Sequence, residues 1–191
     1  MKWVKRLALF LVLTFAVAGS WIYYLVRASL PDIDGDVELE GLSAPVSVVR
    51  DANGVASLRA EDRLDSSRAL GFVHAQERFF QMDLMRRRAA GELAELVGSG
   101  ALDLDRKHRV HRMRARAERS VAELSAPELA RLEVYTEGVN AGLAALGASP
   151  FEYLLLGKSH GAGLSKTASS SSRRCSSSST TPTDNTNRRS G

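Results

Sequence analysis

Cysteine is nearly absent: Cys175 is the only one in 191 residues, and it lies in a serine-rich tail. A lone cysteine excludes a disulfide framework and a zinc cluster, and it gives no supported thiol nucleophile. An exported chain with a sufficient core needs no disulfide, so export stays open. No internal repeat is present, and the length allows one domain with a modest core. Aromatic residues make up only 6% of the chain, and none interleaves with Arg109, Arg112, Arg116 and Arg119. That basic stripe is also interrupted by Glu118, so it lacks the stacking platform of a nucleic-acid surface.

The net charge of +4 hides an uneven distribution. Residues 1–27 hold Lys2, Lys5, Arg6 and Arg27, and residues 158–191 hold six basic residues against Asp184. Between them, residues 28–157 carry 16 basic and 21 acidic residues, so the part able to fold is mildly acidic. The basic balance belongs to the ends, and no nucleic-acid partner is expected.

Long apolar runs are confined to the N-terminus. Lys2, Lys5 and Arg6 precede a run over residues 7–26 interrupted only by Thr14, Gly19 and Ser20. Ala16-Val17-Ala18 has the small-residue pattern of a signal cleavage site. The run nevertheless continues to Val26, 20 residues in all, which is enough to span a bilayer as an uncleaved anchor. Trp21, Tyr23 and Tyr24 suit its far interface, and the charge asymmetry puts the N-terminus in the cytoplasm. Residues 1–27 thus read as signal or anchor, with the remainder anchored facing the periplasm or released into it.

Residues 28–36 read as a turn-rich linker. Val37, Leu39 and Leu42 alternate loosely like a strand, and a hairpin is expected over about 45–60 around Asn53-Gly54, both tolerant of positive φ. From Asp62 the period becomes helical: Phe72, Ala75, Phe79 and Met82, with Val73, Phe80 and Leu84, define one broad face of a helix over about 64–90. A second helix is expected over about 103–124, with acids at its start that suit the helix dipole. Ser125-Ala126-Pro127-Glu128 is a capping box that opens a third helix, running to about Leu146. Ser149-Pro150-Phe151-Glu152 repeats the signal for a short helix ending near Leu156. After Gly157, Ser169–Ser172 and Ser176–Ser179 dominate a tail that cannot bury a core, and residues 158–191 are expected to be disordered.

Several ordered features together resemble the penicillin acylase family of N-terminal nucleophile amidohydrolases. Val48-Val49-Arg50-Asp51 with Gly54 looks like its opening hairpin. Gly71, His74-Ala75-Gln76-Glu77-Arg78 and Gln81-Met82 look like its long helix, and Arg87-Arg88, Gly91, Glu95 and Gly98 follow at the family spacing. Tyr135, Gly138, Val139, Asn140 and Ala141 then resemble its Y-x-x-G-V-N-A segment. The likeness covers about Leu30 to Gly157, and residues 37–157 read as the region similar to the family's α chain. One departure is Ala56-Ser57-Leu58, where members commonly carry Pro-His-Ile.

The resemblance implies an α+β fold, a mostly helical portion of an αββα sandwich, and hydrolysis of the amide of a small acylated amine such as a β-lactam or an acyl-homoserine lactone. In that family, self-cleavage frees a serine at the start of a β chain, and its α-amino group (pKa about 8) acts as base. Oxyanion donors also come from the β chain. The α chain supplies scaffold, one wall of the acyl pocket and a ligand to a structural calcium, the last two from a helix beyond the match. The β-chain portion of the same precursor is therefore the implied partner, and calcium the implied metal, with no ligand in this chain. Gly98-Ser99 reads as a helix end, not a self-cleavage site. No catalytic, cofactor-binding or metal-ligating residue is assigned here, and the chain alone is expected to be inactive and to aggregate through uncovered apolar faces.

The tail invites a specific explanation. A TCN serine codon read one base early becomes NTC, which encodes only Phe, Leu, Ile or Val, so both serine runs would become apolar. We therefore expect a reading-frame slip near Lys158. A reading of a different class is a membrane-anchored helical interaction module whose Ser/Arg tail binds an acidic partner. A downstream frame encoding a self-cleaving serine discriminates the two.

Blander roles suit the remaining polar residues. His74 has no Ser or Asp partner at a defined spacing and reads as a packing or hydrogen-bonded histidine. His108 and His111, flanked by Arg106, Lys107, Arg109 and Arg112, sit in a field hostile to a cation. Arg86–Arg88 read as a solvated helix end or as partners of Glu92 and Glu95.

Overall fold

The computed structural model describes residues 2–158. Its order is α1 (Lys2–Ala28), β1 (Ser47–Arg50), β2 (Ala56–Arg59), α2 (Arg63–Ala90), α3 (Ala94–Val97), a 3-10 turn (Ser99–Ala101), α4 (Leu102–Arg109), α5 (Met113–Ala122), α6 (Ala126–Ala144) and α7 (Phe151–Leu155). The fold is mostly helical with one small sheet among the described residues. The serine-rich tail, Cys175 included, falls outside them.

Strands β1 and β2 pair antiparallel, Val48 opposite Leu58 and Arg50 opposite Ala56. Their connection is longer than the two-residue turn that Asn53-Gly54 suggests. Asp51 Oδ1 accepts from the backbone N–H groups of Asn53 and Val55, both at 2.8 Å. This Asx turn holds Asn53 out of the left-handed region, and only Gly54 takes positive φ, at 77°. The strand expected around Val37, Leu39 and Leu42 does not form. Here Gly41 turns the chain at φ 82°, which carries Ser43 and Ala44 to a side chain of α2.

Helix α2 has the limits its ends dictate. The Asp62 carboxylate accepts from Leu64 N–H at its start, and Gly91 closes it in the left-handed region (φ 71°, ψ 41°). The helix spans the expected residues but is kinked: Arg78 leaves helical geometry (φ −146°, ψ 25°). The bend divides the buried face. Asp65, Ala69 and Val73 lie on one side of it in sequence, Phe79, Asp83 and Arg87 on the other. Of the expected apolar face, Val73, Ala75 and Phe79 are buried, while Phe72, Phe80, Met82 and Leu84 are half-buried.

Packing of α2 on α6 is the main tertiary contact. The backbones meet at glycines: a Cβ on Gly71 would stand 2.1 Å from the Tyr135 carbonyl oxygen, and one on Gly138 2.0 Å from that of Arg68. No other residue fits such a crossing without pushing the helices apart. Around it gather Ala75, Phe79, Leu96, Val139 and Tyr153, all buried. Helix α6 opens with the expected capping box, Ser125 N–H and Oγ both donating to the Glu128 carboxylate.

The single helix expected over 103–124 is two. Arg112 adopts the left-handed conformation (φ 50°, ψ 42°) and separates α4 from α5. No glycine or proline marks the break; tertiary demands at both ends explain it. Asp105 and Arg109 tie α4 to the segment after α2, and Arg114 at the start of α5 ties α5 to the same segment, one nitrogen donating to both Glu92 oxygens at 2.6 and 2.7 Å. The acids at the start of α4 also differ in role. Asp103 pairs with Arg106, but Asp105 turns inward to another helix.

Candidate functional site

Three buried carboxylates organise the described residues, and none was singled out by the sequence. Asp65, on the first turn of α2, accepts from Ser43 N–H, Ser43 Oγ and Ala44 N–H at 2.5–3.2 Å. The Ser43 hydroxyl and amide hold its pKa below the ordinary aspartate value. Asp105 accepts from Leu93 N–H (2.9 Å) and Ala94 N–H (2.8 Å), satisfying orphan donors at the start of α3.

Asp83 anchors the densest cluster. Its Oδ2 accepts from Arg87 Nε at 2.8 Å and from the Tyr153 hydroxyl at 2.7 Å, and its Oδ1 from Arg86 at 2.7 Å. Arg87 continues to Glu95 at 2.9 Å, and Arg86 reaches Glu92 at 3.6 Å. The partners expected for this arginine run, Glu92 and Glu95, are thus found, with Asp83 as an additional inner partner. Burial pushes the Asp83 carboxyl up, but hydrogen bonds from Arg87, Tyr153 and Arg86 outweigh it and hold the pKa below the ordinary value. Burial, then the bond to Asp83, pushes the Tyr153 phenol well above its ordinary value.

His74 lies one turn before the bend in α2. Its Nδ1 shares a 3.0 Å hydrogen bond with the Tyr135 hydroxyl, and the rings meet edge to face. Burial, then the positive charge of Arg78, lowers its pKa and favours the neutral ring. A shallow cleft of about 250 Å³ between the hairpin loop and α2 is lined by Asn53, Leu58, Val73, His74 and Arg78, with Arg50 and Glu77 paired at 2.6 Å nearby.

These polar side chains are engaged with one another and with the backbone. Ser43 and Ser125 donate to carboxylates, and Ser29 and Ser67 to backbone carbonyls; none of these four bonds a histidine. His74 faces a phenol instead of a serine, as the hydrogen-bonded reading expects. His108 bonds the Leu104 carbonyl through Nδ1. The arginine stripe is broken at Arg112, and Arg109 donates to the Gly91 carbonyl at 2.8 Å. As for calcium, no group of three candidate ligands occurs among the described residues. The oxygens of the three buried carboxylates already face N–H and O–H donors, so these residues do not fit a calcium site.

A signal for the missed cluster does exist in the sequence: Asp83 and Arg87 are an i, i+4 acid–base pair, four residues past Phe79. Pairing with Tyr153 has no sequence signal, because the two residues are 70 positions apart.

The sequence matches the Penicillin amidase family model over residues 45–169. It is 44% identical over 132 residues to the penicillin acylase 2 proenzyme of Pseudomonas sp. (strain SE83), covering 69% of this chain and 17% of that relative. It is 41% identical over 133 residues to the acyl-homoserine lactone acylase QuiP of Pseudomonas aeruginosa, covering 69% and 16%. Likeness to the penicillin G acylase of Escherichia coli is 30% over 134 residues, covering 70% and 15%. Among solved structures, a thermostable penicillin G acylase from Alcaligenes faecalis superposes with a TM-score of 0.53 at 29% identity, covering 60% of this chain and 63% of that one. The chain spans about a sixth of the length of the curated relatives it matches.

Proposed function

This chain belongs to the penicillin amidase family, and we propose that it forms the opening scaffold of an exported amidohydrolase acting on N-acylated amines. The observation that carries the reading is the continuous likeness, 44% identical over 132 residues, to a proenzyme whose printed name is that of a penicillin acylase. Names of two activities recur among the relatives, penicillin acylase and acyl-homoserine lactone acylase. Both split an amide between an acyl group and the amine of a strained or lactone ring, and that shared bond is the proposed substrate class.

In this reading α2 and α6 form part of one helical layer of an αββα sandwich. The nucleophilic serine, its α-amino base and the oxyanion donors belong to the remainder of the precursor, and so does the calcium site. The role of Asp65, Asp83 and Asp105 is to set the relative positions of the hairpin, α2, α3 and α7. Support for a large partner comes from the surface: Val49, Val55, Met85, Val110 and Leu155 are 59–80% exposed. Helix α1 takes the chain to or across the membrane, as signal or anchor.

A segment exchange tests this. The matched 132 residues of the Pseudomonas sp. proenzyme are replaced by their counterpart from this chain, and self-processing and hydrolysis of a chromogenic N-acyl amide are measured. A processed, active chimera is expected, alongside no hydrolysis above the buffer rate by this chain alone. A soluble chimera that neither processes nor hydrolyses overturns the scaffold role, and amide hydrolysis by the chain alone overturns the division of labour.

A further inference from the structure

Helix α1 is 27 residues long, has mean hydropathy 2.0 in its apolar window, and buries none of that window. Its far end, however, is built into the folded region. Ser29 is only 4% exposed; its N–H donates to the Leu25 and Val26 carbonyls, and its Oγ to Val26 at 2.7 Å. Across the gap, Ala148 N–H in the α6–α7 corner donates to the Ala28 carbonyl at 3.0 Å. Gly147 lies against the same group, where a Cβ would stand 3.3 Å from the Ala28 oxygen. The last turn of α1 is therefore held by a hydrogen bond from the corner, and no loose tether intervenes.

The aromatic residues mark two interfaces. Both tryptophans of the chain are in α1, Trp3 beside Lys2, Lys5 and Arg6, and Trp21 beside Tyr23 and Tyr24. Their separation along a helix is about 27 Å, against about 30 Å for the hydrocarbon core. Cleavage after Ala18 would leave residues 19–28 as a stub, with Trp21, Ile22, Tyr23 and Tyr24 57–70% exposed. So short a helix does not hold itself in water, and its aromatics would face solvent in the mature protein.

We propose that α1 is a retained membrane anchor pinned to the α6–α7 corner, so that this corner rests on the outer leaflet. The inference rests on the export reading above and specifies its form. The bilayer is the partner of α1, because length, apolar exposure, terminal charge and paired aromatic ends all match it. The domain is held at a fixed attitude, with the corner as its membrane-proximal end.

The test uses the full chain with its own N-terminus, produced in a Gram-negative host. Membranes are floated, washed with alkaline carbonate and reconstituted with brominated phosphatidylcholine. Intact mass and tryptophan emission are then read, the emission reporting α1 alone. A floating polypeptide that retains residues 1–18, with emission quenched by the brominated lipid, is expected. A product beginning at Gly19 overturns retention while leaving export intact. Retention of residues 1–18 in a cytosolic fraction overturns export as well. For the pin, Ala148→Pro removes the donor and should speed trypsin cleavage after Arg27 several-fold, whereas Ala148→Gly should not. An unchanged rate in a folded Ala148→Pro protein overturns the pin. On the unmutated chain, exchange of the Ala148 amide at an open-loop rate overturns it equally.

Discussion

Replacing Gly138 by alanine should destabilise the protein, although helix propensity alone predicts the opposite. In a helix interior, alanine is favoured over glycine by about 0.5–1 kcal/mol. At Gly138, however, the new Cβ would lie 2.0 Å from the Arg68 carbonyl oxygen and 2.9 Å from its carbon. All the contacted atoms are backbone, so no rotamer change relieves the clash, and α2 must move away from α6 by roughly an ångström. That separation loosens Val73, Ala75 and Val139, each at most 5% exposed. Overpacking of this kind costs about 1–3 kcal/mol, which exceeds the propensity gain. The expected net loss is about 1–2 kcal/mol, or a midpoint lowered by about 4–7 °C for a domain of this size. Thermal unfolding followed by far-ultraviolet circular dichroism supplies the measurement, on the full chain in detergent micelles that cover the apolar faces expected to drive aggregation in water. Gly100→Ala is the control, since nothing lies within 4 Å of its Cβ position and its φ is unexceptional. A Gly138→Ala midpoint equal to or above the wild type refutes the close crossing. Gly71→Ala, 2.1 Å from the Tyr135 oxygen, should combine with it less than additively, because one displacement accommodates both methyls.

Tyr153→Phe removes a buried donor to Asp83 and should cost about 1–3 kcal/mol; Asp83→Ala, which strips the inner partner from Arg87, should cost more, as urea midpoints will report. Because the folded-state pKa of Asp83 is depressed, its stabilisation is present above the unfolded value of 3.8 and is lost as pH falls through the folded value. Urea titrations near neutrality and below pH 4 should show the Tyr153→Phe difference shrinking in acid, and a constant difference would contradict the assignment. His74 also has a depressed folded pKa, so acidification below the unfolded value of 6.5 protonates the unfolded chain first and weakens the fold. His74→Gln should flatten that part of the stability profile, and an unchanged slope would place the titration elsewhere. Resequencing the codons for Gly157 to Gly191 should reveal a single-base correction that turns both serine runs apolar; a confirmed tail removes the frame-slip proposal.

Much of this chain is legible from local chemistry. The hairpin, the start of α2 at Asp62, its stop at Gly91 and the Ser125–Glu128 box all act within one turn of the residues they organise. The apolar helix at the N-terminus follows from composition alone, and the ordered motifs from Val48 to Ala141 are enough to identify the family. These signals depend on neighbours a few residues away, so the sequence by itself determined them.

Tertiary structure decided what depends on distant partners. The break at Arg112 falls where Asp105 and Arg109 on one side and Arg114 on the other all bond one distant segment, residues 91–94, with nothing in the local residues to mark it. Gly71 and Gly138 look permissive in sequence, and only the crossing of two helices makes them obligatory. Asp83 could have faced solvent on an arginine-rich helix end; Tyr153, 70 residues later, makes it the centre of a buried lock. Likewise the pinning of Ala28 by Ala148 joins an N-terminal helix to a corner 120 residues away. Burial and hydrogen bonding are settled by what folding brings together, and such pairings leave no periodic trace in the chain.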